Sequence, residues 1–109
     1  MELYQELQNK SMQLEMALKT YRTNGIALAS SEREYKVKLR EEILKLRDEG
    51  VAVGIIDKVC YGIPSIADLR FKRDCAEAVY KANQEAINVK KLEIKIIQEQ
   101  INKEWGSND

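Results

Sequence analysis

"DEGVAVGIIDKVCYGIPS", residues 48–65, decides how this chain folds. Gly50, Gly54 and Gly62 fall inside it, as does the only proline, Pro64. On both sides the sequence reads as long helix, so the stretch marks the bend of a hairpin. Gly50 follows "LKLRDE" and suits a helix C-cap. Two readings of the following residues stand side by side. Val51, Val53 and Ile55 alternate as in a short strand. Val53, Ile56, Val59 and Cys60 share one face of a short helix over 53–61, which Gly62 ends. The three-and-four spacing and the Gly62 stop favour the helix.

Upstream, one seam position holds Leu7, Leu14, Tyr21, Leu28 and Tyr35. A second, four residues later each time, holds Ser11, Leu18, Gly25, Glu32, Leu39 and Leu46. This is a heptad, weakened at Ser11, Gly25 and Glu32. Asn24-Gly25 is a turn dipeptide and Ser31 with Glu34 fits a capping box, so a break near residues 25–31 competes with one continuous helix. The unchanged heptad phase on either side favours continuity. Downstream, spacings of three and four run through Ile66, Leu69, Arg73, Ala76, Tyr80, Asn83, Ile87, Lys90, Ile94, Ile97 and Ile101. Ser65 is placed to cap this helix, with Asp68 favouring its N-terminus.

The expected fold is therefore all-α. It is a single domain over 1–105, a long antiparallel helical hairpin (a coiled coil) with a helix over about 2–48, a bend with a short helix over about 49–63, and a helix over about 65–104. A disordered tail occupies 106–109. Setting Leu46 opposite Ile66 puts Leu39 opposite Arg73, Glu32 opposite Tyr80, Gly25 opposite Ile87 and Leu7 opposite Trp105. Glu32 and Arg73, on the facing seams, could then pair.

More apolar residues are present than one seam needs. Met12, Met16 and Ile26 lie off the first seam, and Val79, Ala82, Ala86, Val89, Leu92 and Ile96 form a second row. Met16 falls level with Ile96 in this register. The surplus predicts self-association into a homodimer or larger helical bundle through Met12, Met16, Val89, Leu92 and Ile96. The bend, with Val51, Val53, Ile55, Ile56, Tyr61 and Ile63, is the expected contact for a protein partner.

Composition narrows the functions. Charged residues make up 33 % of the chain, aromatics 6 %, and 18 basic residues balance 18 acidic ones, a composition suited to long helices rather than to general nucleic-acid binding. A local exception is conceivable: a helix, a short helix and a third starting at "PSIADLR" suggest a helix-turn-helix whose contacts would be Arg70, Lys72 and Arg73. Nearby Asp48, Glu49, Asp57, Asp68 and Asp74 offset those charges, so DNA binding is the less favoured reading. There is no histidine, no glycine-rich phosphate loop, and Cys60 and Cys75 lack metal-site spacing. The thiols are expected to be reduced and semi-buried. The carboxylates lie along salt-bridged faces such as "EREYKVKLREE". No enzyme activity, cofactor or metal is expected. "MELYQELQNK" has no signal-peptide core and no apolar run reaches the length of a membrane span, so a cytoplasmic location is expected, with no membrane partner.

The succession "YRTNGIALASSEREYKVKL", "ILKLRDEGVAVGIIDKVCYG" and "LRFKRDCAEAVYKANQEAINVKK", ending in "EW", resembles small, functionally unassigned helical proteins of phages and prophages of Gram-positive bacteria. The likeness covers nearly the whole chain, its segments matching in order and spacing. It implies an accessory role among phage early functions in DNA replication or recombination, acting in the host cytoplasm. It carries over no functional residue. The leading expectation is thus a non-enzymatic, oligomeric interaction protein. The alternatives are a DNA-binding module at the bend and an anti-defence protein holding a small ligand between subunits.

Overall fold

The computed structural model describes residues 2–106 and consists of three helices: α1 (Glu2–Asp48), α2 (Val53–Cys60) and α3 (Pro64–Gly106). The fold is all-α, an antiparallel helical hairpin with the short helix at its bend. The alternation at Val51–Ile55 does not produce a strand. α1 runs unbroken through Asn24-Gly25. Ser31, buried within it, donates its hydroxyl to the Ala27 carbonyl one turn back at 2.8 Å, so it bonds inside the helix and starts no new one.

The end of α1 is fixed by its local chemistry. Gly50 adopts φ +83°, the left-handed conformation that glycine accepts without a Cβ clash. The Val51 N–H reaches the Leu46 carbonyl at 3.0 Å and the Gly50 N–H reaches that of Arg47 at 3.0 Å. These are the two bonds of a Schellman cap, which satisfy carbonyls the helix end would otherwise orphan. Residues 51–52 then lead into α2, whose first bonds run from the Ile55 and Ile56 N–H groups to the Ala52 carbonyl at 2.9 and 3.2 Å.

The start of α3 differs from expectation. The Ile63 carbonyl accepts from the Ile66 and Ala67 N–H groups at 3.0 and 2.9 Å, so Pro64 is the first helical residue and Ser65 lies inside the helix instead of capping it. Proline wins this position because it has no N–H to leave unsatisfied and its φ is already helical. Asp68 consequently falls beyond the first turn, which carries no acidic residue. At the other end Gly106, assigned by the sequence to the tail, belongs to α3; residues 107–109 of that tail lie outside the described residues.

Two compact units share these helices. The described part of the first comprises residues 2–23 and 80–106; the second is Asn24–Val79. In the first, Ile87, Ile97 and Ile101 of α3 are buried, with Leu3, Leu7, Leu14 and Tyr21 of α1 half-buried. The downstream seam falls inward as its spacing requires. The upstream seam needs correction: Ser11 and Leu18 are exposed, and Lys10 and Ala17, three residues after Leu7 and Leu14, take their place. Polar bonds across the pair draw that side inward. Lys10 pairs with Glu93, and the Asn83 amide donates to the Ala17 carbonyl at 3.2 Å.

In the second unit all three helices contribute. Ser31 and Tyr35 of α1, Ile56 and Cys60 of α2, and Ile66 of α3 are buried, Cys60 and Ile66 completely. α1 buries a wider face here because it has two helices to pack against, and Glu32, Leu39, Glu42, Ile43 and Leu46 are all half-buried.

The pairing register also changes. Tyr80 meets Tyr21, about three turns from the expected Glu32, and Arg73 lies over Tyr35 instead of Leu39, about one turn away. Trp105, expected against Leu7, is exposed. Opposing Tyr80 to Tyr21 satisfies two phenols at once, where opposing it to Glu32 would bury a carboxylate. Glu32 and Arg73 make no direct ion pair. Glu32 bonds Lys36 at 3.4 Å, and Arg73 directs its Nε and Nη2 to Asp74 Oδ1 at 3.1 and 2.8 Å.

Candidate interaction surfaces

In the first unit Met12 and Met16 are largely exposed, and so are Val89, Leu92 and Ile96. At 3.6 residues per turn, Met12 and Met16 lie about half a turn round α1 from Leu14, on the side away from α3. Leu92 and Ile96 lie about half a turn from Ile94, on the outer side of α3. They form two patches on opposite sides of the helix pair rather than one continuous stripe. Nor is Met16 level with Ile96: the bond from Asn83 to Ala17 places Met16 about three turns away from it.

Lys10, Tyr21 and Glu93 of the first unit are held away from their ordinary ionisation ranges. The hydrogen bond to Glu93 holds the Lys10 ammonium above its ordinary range against the opposing effect of desolvation, with that carboxylate's charge assisting. The same bond holds the Glu93 carboxyl below its ordinary range, with Lys90 assisting at 3.4 Å. The hydrogen bond with Tyr80 raises the Tyr21 phenol, because ionising it would place charge beside a group that shares its proton. These groups pair with one another along a helix seam. Among the described residues no group of three or more His, Cys, Asp or Glu side chains could hold a metal ion.

At the bend, the candidate contacts divide. Val53, Ile55 and Tyr61 are exposed, Val51 and Ile63 are half-buried, and Ile56 is 3 % exposed. Ile56 is therefore part of the second unit's core and is not available to a partner. α2 is amphipathic, and with Cys60 buried beside it in sequence spacing, Ile56 occupies the inward stripe. Val53 and Val59, expected on that face, are exposed. The two thiols also part company: Cys60 is fully buried, its Sγ 3.6 Å from the Asp57 carbonyl, while Cys75 is exposed.

The three cations proposed for DNA are engaged within the second unit. The Arg70 guanidinium lies over the Tyr61 ring at 5.2 Å, Lys72 bonds Glu34 at 3.2 Å, and Arg73 lies over the Tyr35 ring at 4.7 Å while bonding Asp74. The Asp74 bond, with help from the charges of Asp74 and Glu32, raises Arg73 further above its ordinary value. By helical spacing Arg70 and Arg73 lie about 60° apart on one side of α3 and Lys72 leaves on another, each held by a neighbouring side chain.

One surface went unread in the sequence. A shallow groove on α1 in the second unit is lined by Lys36, Leu39, Arg40, Ile43, Leu44 and Arg47. "EREYKVKLREE" was expected to be a salt-bridged exterior. That holds for Lys38, which bonds Glu41 and Glu42 at 3.8 and 3.4 Å, and for Lys36 with Glu32. It does not extend to Arg40; neither for it nor for Arg47, beyond that stretch, is an ion pair or a side-chain hydrogen bond found among the described residues. The signal was the i, i+7 spacing of Arg40 and Arg47 around Ile43 and Leu44.

No family model matches the chain, and neither a curated protein nor a solved structure matches it. Among the described residues no helix is long and apolar enough to cross a membrane. The functional reading therefore rests on the surfaces described above.

Proposed function

We propose that this chain is a non-catalytic interaction protein whose hairpin self-associates through the outer apolar patches of its first unit, forming a helical bundle. One observation carries the reading. Among the described residues seven apolar side chains are buried, while seventeen large apolar side chains remain exposed. Burying a fully exposed apolar side chain contributes roughly 1.5–3 kcal/mol, so a second copy covering the exposed parts of Val89, Leu92 and Ile96 would extend a small core. The bend, with exposed Val53, Ile55 and Tyr61, serves in this reading as the contact for a protein partner. A place among phage early functions in DNA replication or recombination is supported by the sequence resemblance alone.

The test is light scattering combined with circular dichroism at concentrations of about tens of micromolar. A mass of two or more chains with full helicity is expected. A fully helical monomer would reject the reading.

A further inference from the structure

The groove on α1 belongs to the second unit and shares no residue with the patches assigned to self-association, and its chemistry specifies what fits it. Its floor is apolar: Leu39 and Ile43 are half-buried and Leu44 is exposed. Its rim is basic. Lys36 is neutralised by Glu32 at 3.4 Å, leaving Arg40 and Arg47 as the uncompensated charges. At 1.5 Å per residue these two guanidiniums leave the helix roughly 10 Å apart, two turns from each other. Glu41 and Asp48, three residues before and four residues after Leu44, flank the groove's outer edge, Glu41 bonded to Lys38, while Glu34 is bonded to Lys72.

We propose that this groove docks an acidic amphipathic helix of another protein. The fitting segment carries two carboxylates seven residues apart with apolar side chains between them, in the pattern Glu-x-x-Leu-Leu-x-x-Glu. Its carboxylates meet Arg40 and Arg47, and its apolar pair lies on Leu39, Ile43 and Leu44. Arginine suits this role because its planar fork donates two parallel hydrogen bonds to a carboxylate. Apolar anchors at helical spacing, laid into a groove, supply the remaining affinity. A nucleic-acid backbone is the poorer match, because Leu44 and Ile43 stand between the two cations where it would need further positive charge.

The experiment titrates the full-length protein into a fluorescent, end-capped peptide of about twenty residues bearing this pattern on an Ala/Gln scaffold, long enough to form helix. Three other probes run beside it: a scrambled peptide of the same composition, a version with both leucines changed to serine, and a DNA duplex. Saturable binding by the patterned peptide is expected. It should weaken at least about tenfold for the double variant Arg40→Glu/Arg47→Glu and be unaffected by Lys58→Glu on α2. Amide resonances over residues 36–47 should shift on binding. Circular dichroism of the double variant verifies that the fold is retained, since both side chains are exposed. Four results would overturn the proposal: no binding up to about 1 mM, equal binding of the scrambled or serine peptide, stronger binding of the duplex with the same arginine dependence, or loss of self-association in the double variant. The last would assign the groove to a second copy of this chain. Self-association itself is read separately by light scattering, so failure here and failure of the proposed function are distinguishable.

Discussion

Tyr21 of α1 and Tyr80 of α3 stack with ring centroids 4.7 Å apart and planes inclined by 18°, and their hydroxyls bond each other. The two residues are 59 apart in sequence, so this contact exists only at one register of the helices. Stacking buries the rings, and the shared proton satisfies both phenols where water has limited access.

A double-mutant cycle exposes that coupling. Tyr21→Phe and Tyr80→Phe each leave one hydroxyl without its partner, and each should lower Tm by a few degrees. The double variant removes both hydroxyls together. It should lose less than the sum of the two single losses, because no orphaned phenol remains. Additive losses by thermal circular dichroism would show that the hydroxyls do not interact in solution.

The Lys10–Glu93 pair predicts two pH limbs. Glu93 is held below its ordinary value of 4.5, so its contribution to stability is present above pH 4.5 and is lost as pH falls through its lower folded value. Lys10 is held above 10.5, and Tyr21 above 10.0, so their contributions are present below those values and are lost as pH rises through the higher folded ones. Glu93→Gln should flatten the acid limb of Tm against pH. Lys10→Met should flatten it only in part, because Lys90 still bonds Glu93. Equal acid limbs for the wild type and Glu93→Gln would contradict this assignment.

How far these features could be read from sequence depended on what set them. The α3 seam from Ile66 to Ile101 was legible because large apolar residues recur at helical spacing, and the bend was legible because glycine and proline interrupt that recurrence. The second row of α1 was not. Lys10 and Ala17 look no more inward-facing than Ser11 and Leu18, and the choice falls to polar bonds with Glu93 and Asn83 on another helix. The register failed for the same reason: apolar heptads pair acceptably at several offsets, and Tyr21–Tyr80 selects among them. Among the proposed contact residues, Ile56 was misassigned because local spacing places Val53, Ile56, Val59 and Cys60 together, whereas only Ile56 and Cys60 are covered in the fold.

The bend offers a pair of glycine substitutions with opposite signs. Neither Gly50 nor Gly54 has an atom within 4 Å of where a Cβ would stand, so space is equal at the two sites. Backbone conformation is not. Gly50→Ala forces a left-handed residue and should destabilise by about 1–2 kcal/mol. Gly54, inside α2, is helical, and Gly54→Ala should stabilise by about 0.5 kcal/mol by restricting the unfolded chain. Denaturant unfolding with unchanged slopes would establish both; a loss at Gly54 would mean that α2 needs the glycine for a reason other than conformation.

Two isoleucines on α3 separate folding from assembly. Ile66 is fully buried in the second unit, and Ile66→Ala should cost about 3 kcal/mol through lost burial and the cavity left behind. Ile96 is 47 % exposed on the outer side of α3 in the first unit. Within a single chain, Ile96→Ala should change stability by no more than about 0.5 kcal/mol. If the outer face of α3 is where copies meet, Ile96→Ala should instead weaken association and reduce the dependence of Tm on protein concentration. Ile66→Ala should lower Tm at every concentration. An Ile96→Ala protein with wild-type mass and wild-type concentration dependence would remove this face from the assembly and leave Met12 and Met16 as the patch to test.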